Sequence, residues 1–173
     1  MSAGSRLRQG LRALFAFSQT VDYGLASRYL SGPLLEAFQR MLVSEQLHSL
    51  HVLRLLQADA VPSEDLAVAA LLHDVGKSRY PLAVWQKTLA VLVTAFLPPL
   101  ARRWSAGSPR SLIQRPFVVS AHHPQWSAEI AAAAGASAES LWLIAHHQDD
   151  AERWRDHALF CELQQLQAAD DAN

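Results

Sequence analysis

The chain has one cysteine, Cys161, in 173 residues. An internal disulfide is therefore excluded, and so is any CxxC metal site. Charged residues are scarce at 18%, and neither sign dominates: fifteen Lys and Arg face sixteen Asp and Glu, a formal net charge of −1. A general nucleic-acid binder carries a basic excess, so no nucleic-acid partner is expected. Sustained period-two alternation of β-branched residues is also missing, and no strands are predicted. No clean apolar run reaches the ~20 residues of a membrane span. Half of the residues are nonetheless hydrophobic, which excludes disorder of the whole chain and suffices for one domain with a substantial core.

Helix formers fill the sequence, with Ala and Leu making up roughly a third of it, and the expected fold is all-α. Near the start, Leu7, Leu11, Leu14 and Phe15 share one helical face among Arg6, Arg8 and Arg12. This reads as a basic amphipathic helix in an N-terminal extension over 1–32, not as an export signal, and a cytoplasmic location is expected. Ser31-Gly32-Pro33 opens a long helical segment to about Ala58. Ser63 is the expected cap of the next helix, with Glu64 and Asp65 in its first turn and a left-handed Gly76 at its end. Pro81 restarts a stretch reaching Pro98-Pro99, and 105–110 is a polar loop. A helix from near Pro124 is closed by Gly135, Ser137 caps another, and Asp149-Asp150 begins the last helical region.

Leu82–Leu100 is apolar on both faces, with Lys87 its one charged residue. Such a helix is central in a core or touches lipid; the expectation is a buried helix with an exposed end. Arg102, Arg103 and Trp104 after it are suited to peripheral contact with a membrane surface.

Eight histidines stand out, six of them clustered. His48 lies in LHSLHV, His73 precedes Asp74 in LLHDVGK, His122-His123 precede Pro124, and His146-His147 follow an apolar helix. Imidazole and carboxylate are ordinary ligands of divalent transition metals. A carboxylate after the apolar run Val68–Leu72 is costly to bury unless a cation pairs with it. His51 and His157 are read as structural.

These residues resemble the HD-domain superfamily of metal-dependent phosphohydrolases, whose signature is a His, then a His-Asp doublet, then a distant Asp. HDVGK at 73–77 fits the doublet, His48 the upstream histidine, and Asp170 in LQAAD the closing aspartate in preference to Asp171. HHPQWSAEI followed by AHHQ is similar to the two-metal branch that includes HD-GYP and HDIG proteins, though no GYP follows. The resemblance implies an HD helical bundle over 33–173, with 82–110 as an insertion of lid-like character. It implies one or two divalent ions per chain, drawn from manganese, iron, zinc, magnesium or nickel. His48, His73, Asp74 and Asp170 would hold the first, and His123 and His146, with His147 close by, the second. Asp74 would bridge the ions, and Lys77 would meet a phosphate, with Trp85 on the lid-like segment beside the substrate. The implied activity is hydrolysis of a phosphomonoester or phosphodiester, nucleotide-like in the first instance, by metal-activated water. A non-catalytic nucleotide sensor, an HD-type di-iron oxygenase and a membrane-surface enzyme that acts on a lipid phosphate through Leu82–Trp104 are the alternatives.

Overall fold

A computed structural model of the protein describes residues 20–172. The amphipathic segment at 6–15 lies outside them. The elements are α1 (Tyr23–Ala26), α2 (Gly32–Gln39), α3 (Val43–Asp59), α4 (Glu64–Leu72), a 3₁₀ turn (Val75–Arg79), α5 (Val84–Phe96), α6 (Pro98–Ser105), α7 (Arg115–Ala133), α8 (Ala138–His146), a second 3₁₀ turn (Ala151–Trp154) and α9 (Phe160–Asp171). No strand occurs among the described residues, and the fold is all-α as expected.

The bundle is built around α4. Every residue from Leu66 to Leu72 is buried, and α3, α8 and α9 pack on it. Leu50 and Leu53 of α3, Leu143 and Ile144 of α8, and Leu163 and Leu166 of α9 complete the core with Phe38 of α2. Burying each such side chain stabilises the fold by about 1.5–3 kcal/mol. The three leucines at 66, 71 and 72 thus help offset the cost of carrying His73 and Asp74 inside. Ser63 caps α4 by accepting from Leu66 N, and Ser137 caps α8 by accepting from Ser140 N. Gly135 closes α7 with φ +89°, in the left-handed region that favours glycine.

Several expectations are corrected. The segment from Pro33 is broken between α2 and α3, where Leu42 is extended. The Gln46 amide, by donating to the carbonyls of Gln39 and Met41, satisfies the backbone at the break. Gly76 is not left-handed: α4 stops at Leu72, and the chain runs through a 3₁₀ turn pressed against α7. Pro124 does not begin a helix but lies inside α7, which starts at Arg115 with Pro116 in its first turn. The last region begins as a 3₁₀ turn, and α9 starts only at Phe160.

The expectation of a buried helix after Pro81 also fails. Residues of α5 are largely exposed, and Gln86 is its buried residue. The Gln86 carboxamide accepts from Ala83 N at 3.0 Å and donates to Leu112 O at 2.8 Å, tying α5 to the loop before α7. The helix that is apolar all round and central is α4, which carries no charge after Asp65. Helices α5 and α6 instead pack against α7 from outside.

Candidate metal centre

Five elements bring titratable side chains to one place. His48 comes from α3, His73 and Asp74 from the end of α4, His123 from α7, His147 from the residue after α8, and Asp170 from α9. Asp74, 2% exposed, is the centre. Its Oδ2 lies 3.6 Å from His48 Nε2 and 3.5 Å from His73 Nε2, while its Oδ1 lies 3.2 Å from His123 Nε2. Asp170 Oδ1 is 3.0 Å from His48 Nε2 and 3.8 Å from His73 Nε2. Two groups of converging ligand atoms result: His48, His73 and Asp74, and Asp74, His123 and His147, each within 4.8 Å of one another.

The orientation of the imidazoles matters as much as their proximity. His73 Nδ1 lies 3.0 Å from Ala70 O, and His147 Nδ1 lies 2.8 Å from Ile144 O. His123 Nδ1 lies 3.0 Å from Val119 O and 3.1 Å from Ser120 O. A carbonyl only accepts, so each Nδ1 carries a proton, and in a neutral ring each Nε2 then presents a lone pair. Local sequence explains the third case. Pro124 has no N–H, so the Ser120 carbonyl, which a helical residue 124 would otherwise bond, is open to His123. His123 Nε2 and His147 Nε2 are buried without a hydrogen-bond partner. A bound cation satisfies both a neutral ring's lone pair and the carboxylate it faces. This donor set of neutral imidazoles and carboxylates, with carbonyls fixing the far ring nitrogens, fits a divalent metal.

Electrostatics are consistent with that arrangement. Burial by itself would raise the Asp74 carboxyl, but Lys77 and His73 outweigh it and hold the group well below its ordinary value. Asp170 is likewise lowered, with His48 overcoming its burial. Burial, assisted by the imidazoles of His73 and His123, pushes His147 down to about 3, and burial lowers His73. His48 is raised despite burial, because Asp170 and Asp74 favour its charged form.

Lys77, in the 3₁₀ turn, places Nζ 2.6 Å from Asp74 Oδ2 and 3.9 Å from Glu45 Oε2. Glu45 also accepts from Lys87 Nζ at 2.6 Å. The two lysines outweigh burial and lower the Glu45 carboxyl. Sequence reasoning missed Glu45. The available signal was its position three residues before His48, on the same face of α3.

Other predicted residues fall elsewhere. His146 is in neither group. Its Nδ1 pairs with Asp149 at 2.7 Å, and its ring packs against Trp142 and Trp154. The structure therefore brings His147, not His146, to Asp74. His122 is exposed and stacks on Trp126, and His157 stacks on Trp142 at 3.8 Å. Asp171 is exposed. Trp85 lines an apolar groove with Leu89, Leu92, Trp104 and Ile113 on the outer face.

A family model described as the HD domain matches residues 47–172. No curated protein and no solved structure matches the chain.

Proposed function

The chain belongs to the HD-domain family, and on that premise we propose that it hydrolyses a phosphate ester at the centre around Asp74. The family is one of metal-dependent phosphohydrolases. The observation that carries the reading here is the pair of buried, partnerless Nε2 atoms of His123 and His147 beside the Asp74 carboxylate. We assign His48, His73, Asp74 and Asp170 to one divalent ion, and Asp74, His123 and His147 to a second. Asp74 bridges the two groups because its two oxygens already face different sets of imidazoles. Bound metal would supply Lewis acidity and lower the pKa of water at the site to near neutrality.

The protein's own groups prepare the site. The carbonyls of Ala70, Ile144, Val119 and Ser120 fix which nitrogen of each ring faces inward. Lys77 is partly exposed and its ammonium is held above its usual pKa: burial would lower it, but Asp74 and Glu45 prevail. It therefore stays protonated at the mouth of the site and donates to a phosphate oxygen. Glu45, gripped by Lys87, keeps that ammonium in place. A nucleotide-like phosphomonoester or phosphodiester suits one fixed cation beside a metal pair.

The test is elemental analysis of protein purified without chelators, followed by nucleotide and other phosphoester substrates with and without added manganese or iron. Two equivalents of metal are expected, with metal-dependent release of inorganic phosphate from a monoester or of an alcohol and a phosphomonoester from a diester. Metal-free protein that stays below one equivalent after reconstitution refutes the reading. Tight nucleotide binding without hydrolysis of either ester type would make it a sensor instead.

A further inference from the structure

Between Asp74 and Glu129 the sequence contains no Asp or Glu, yet it carries Lys77, Arg79, Lys87, Arg102, Arg103, Arg110 and Arg115. The near-zero net charge of the chain thus hides a strong separation: the remaining eight basic residues stand against all sixteen acidic ones. Lys77, Arg79 and Lys87 are paired with acids of other segments. Arg102, Arg103, Arg110 and Arg115 have no carboxylate partner among the described residues.

The same region holds most of the large apolar side chains exposed among the described residues. Trp85, Leu92, Phe96, Leu97, Leu112 and Ile113 are each half exposed or more, and Phe96 reaches 77%. Trp85 and Leu92 border a groove of about 720 Å³ between α5, α6 and the loop before α7. Scattered apolar residues need no explanation, but a contiguous patch does. No helix among the described residues is long and apolar enough to cross a membrane. An exposed apolar groove, in a segment whose exposed Arg102, Arg103 and Arg110 have no carboxylate partner among the described residues, is suited to lying in the headgroup region.

We propose that the face running from Val84 to Ile113 docks on an anionic lipid surface. Charge complementarity selects this occupant. A symmetric contact between two copies would set each arginine patch against itself, with no acid on either side. An anionic bilayer satisfies both features: headgroups meet Arg102, Arg103 and Arg110, and the acyl boundary takes Phe96, Trp85 and Leu112.

The full-length protein is to be sedimented with vesicles of phosphatidylcholine alone and of phosphatidylcholine containing about 30% phosphatidylglycerol. Binding to the anionic vesicles at least ~tenfold stronger than to the neutral ones is expected, because each basic residue at such a surface contributes about fivefold. It must fall steeply between ~0.1 and ~1 M salt, as the Debye length shrinks from ~10 to ~3 Å. Arg102→Gln with Arg103→Gln should weaken binding about tenfold or more. Phe96→Asp with Leu112→Asp should do the same, and exposure at both sites keeps the fold, checked by circular dichroism. Equal binding to both vesicle types overturns the proposal. So does variant protein that sediments like wild type, which would place binding outside this face. Wild-type protein that is dimeric without lipid, and monomeric as Phe96→Asp, assigns the face to a second copy and also overturns it.

Discussion

Gly76 lies so close to α7 that a β-carbon on it would stand 2.4 Å from the carbonyl oxygen of His123. The same atom would be 2.7 Å from Ser127 N, and the glycine's own N–H donates to Ser127 Oγ at 2.8 Å. The glycine after the His-Asp doublet is thus required by an approach of two backbones. It joins the segment carrying Asp74 to the helix carrying His123.

Gly76→Ala should therefore destabilise the protein by about 1–3 kcal/mol, since backbone must move to admit the methyl. Retreat of α7 should also separate His123 from Asp74 and reduce metal bound by the second group. Urea unfolding and metal titration check this. Wild-type values in both would show that α7 yields without cost.

His146 and His147 separate the two versions of the second ligand group. His147→Ala should lower metal stoichiometry towards one ion per chain, whereas His146→Ala should leave it unchanged. The latter should cost about 1–3 kcal/mol of stability, through the lost bond to Asp149 and the lost ring contacts with Trp142 and Trp154. Metal analysis of both variants decides, and the reverse result would restore His146 as the ligand.

Pro124→Ala gives stability and affinity opposite signs. An interior proline costs a helix about 3 kcal/mol, so its removal should raise the stability of the metal-free protein. The new N–H of residue 124 then competes for Ser120 O, loosening the Nδ1 partner of His123. Loss of such outer contacts typically weakens metal binding 10–100-fold, and about tenfold is expected because Val119 O remains. Thermal unfolding with and without metal measures both, and affinity unchanged by the substitution would remove Pro124 from any positioning role.

Without metal, stability should fall as pH drops from about 7 to 5. His147 has a folded pKa of about 3 against an unfolded value near 6.5. Below 6.5 the unfolded chain therefore takes the proton first, and unfolding is favoured increasingly down to the folded value. His73 is shifted in the same direction, while the raised His48 acts oppositely, over and above its unfolded pKa. The lowered Asp74 and Asp170 contribute fully above about pH 4 and do not act in this window. His147 alone accounts for roughly 1–2 kcal/mol at pH 5. His147→Gln, compared with wild type in chelator across this range, should flatten the slope; an equal slope assigns the pH dependence to other groups.

Local signals were legible where the chemistry is local. Ser63, Ser137 and Gly135 act at helix ends through atoms only a few residues away, and the structure agrees with all three. Pro124 misled because a proline also fits a helix interior when a neighbouring side chain uses the carbonyl it frees. The α5 reading failed for a related reason. Apolar residues on every side fit a central helix and an exposed docking face equally well, and hydropathy cannot tell which neighbours will cover them.

The sequence alone determined the helical class, the family, and the ordered residues His48, His73-Asp74 and Asp170, because composition and short motifs survive without knowledge of packing. Tertiary structure alone decided which of two adjacent histidines faces the centre. Adjacent residues at the end of α8 point about 100° apart, so the choice rests on how α8 lies against α4 and α7. It also decided that Glu45 lies between Lys77 and Lys87, and that Trp85, Leu92, Trp104 and Ile113 from separate elements border one groove. Those facts are relations between elements far apart in the chain, set by packing around α4.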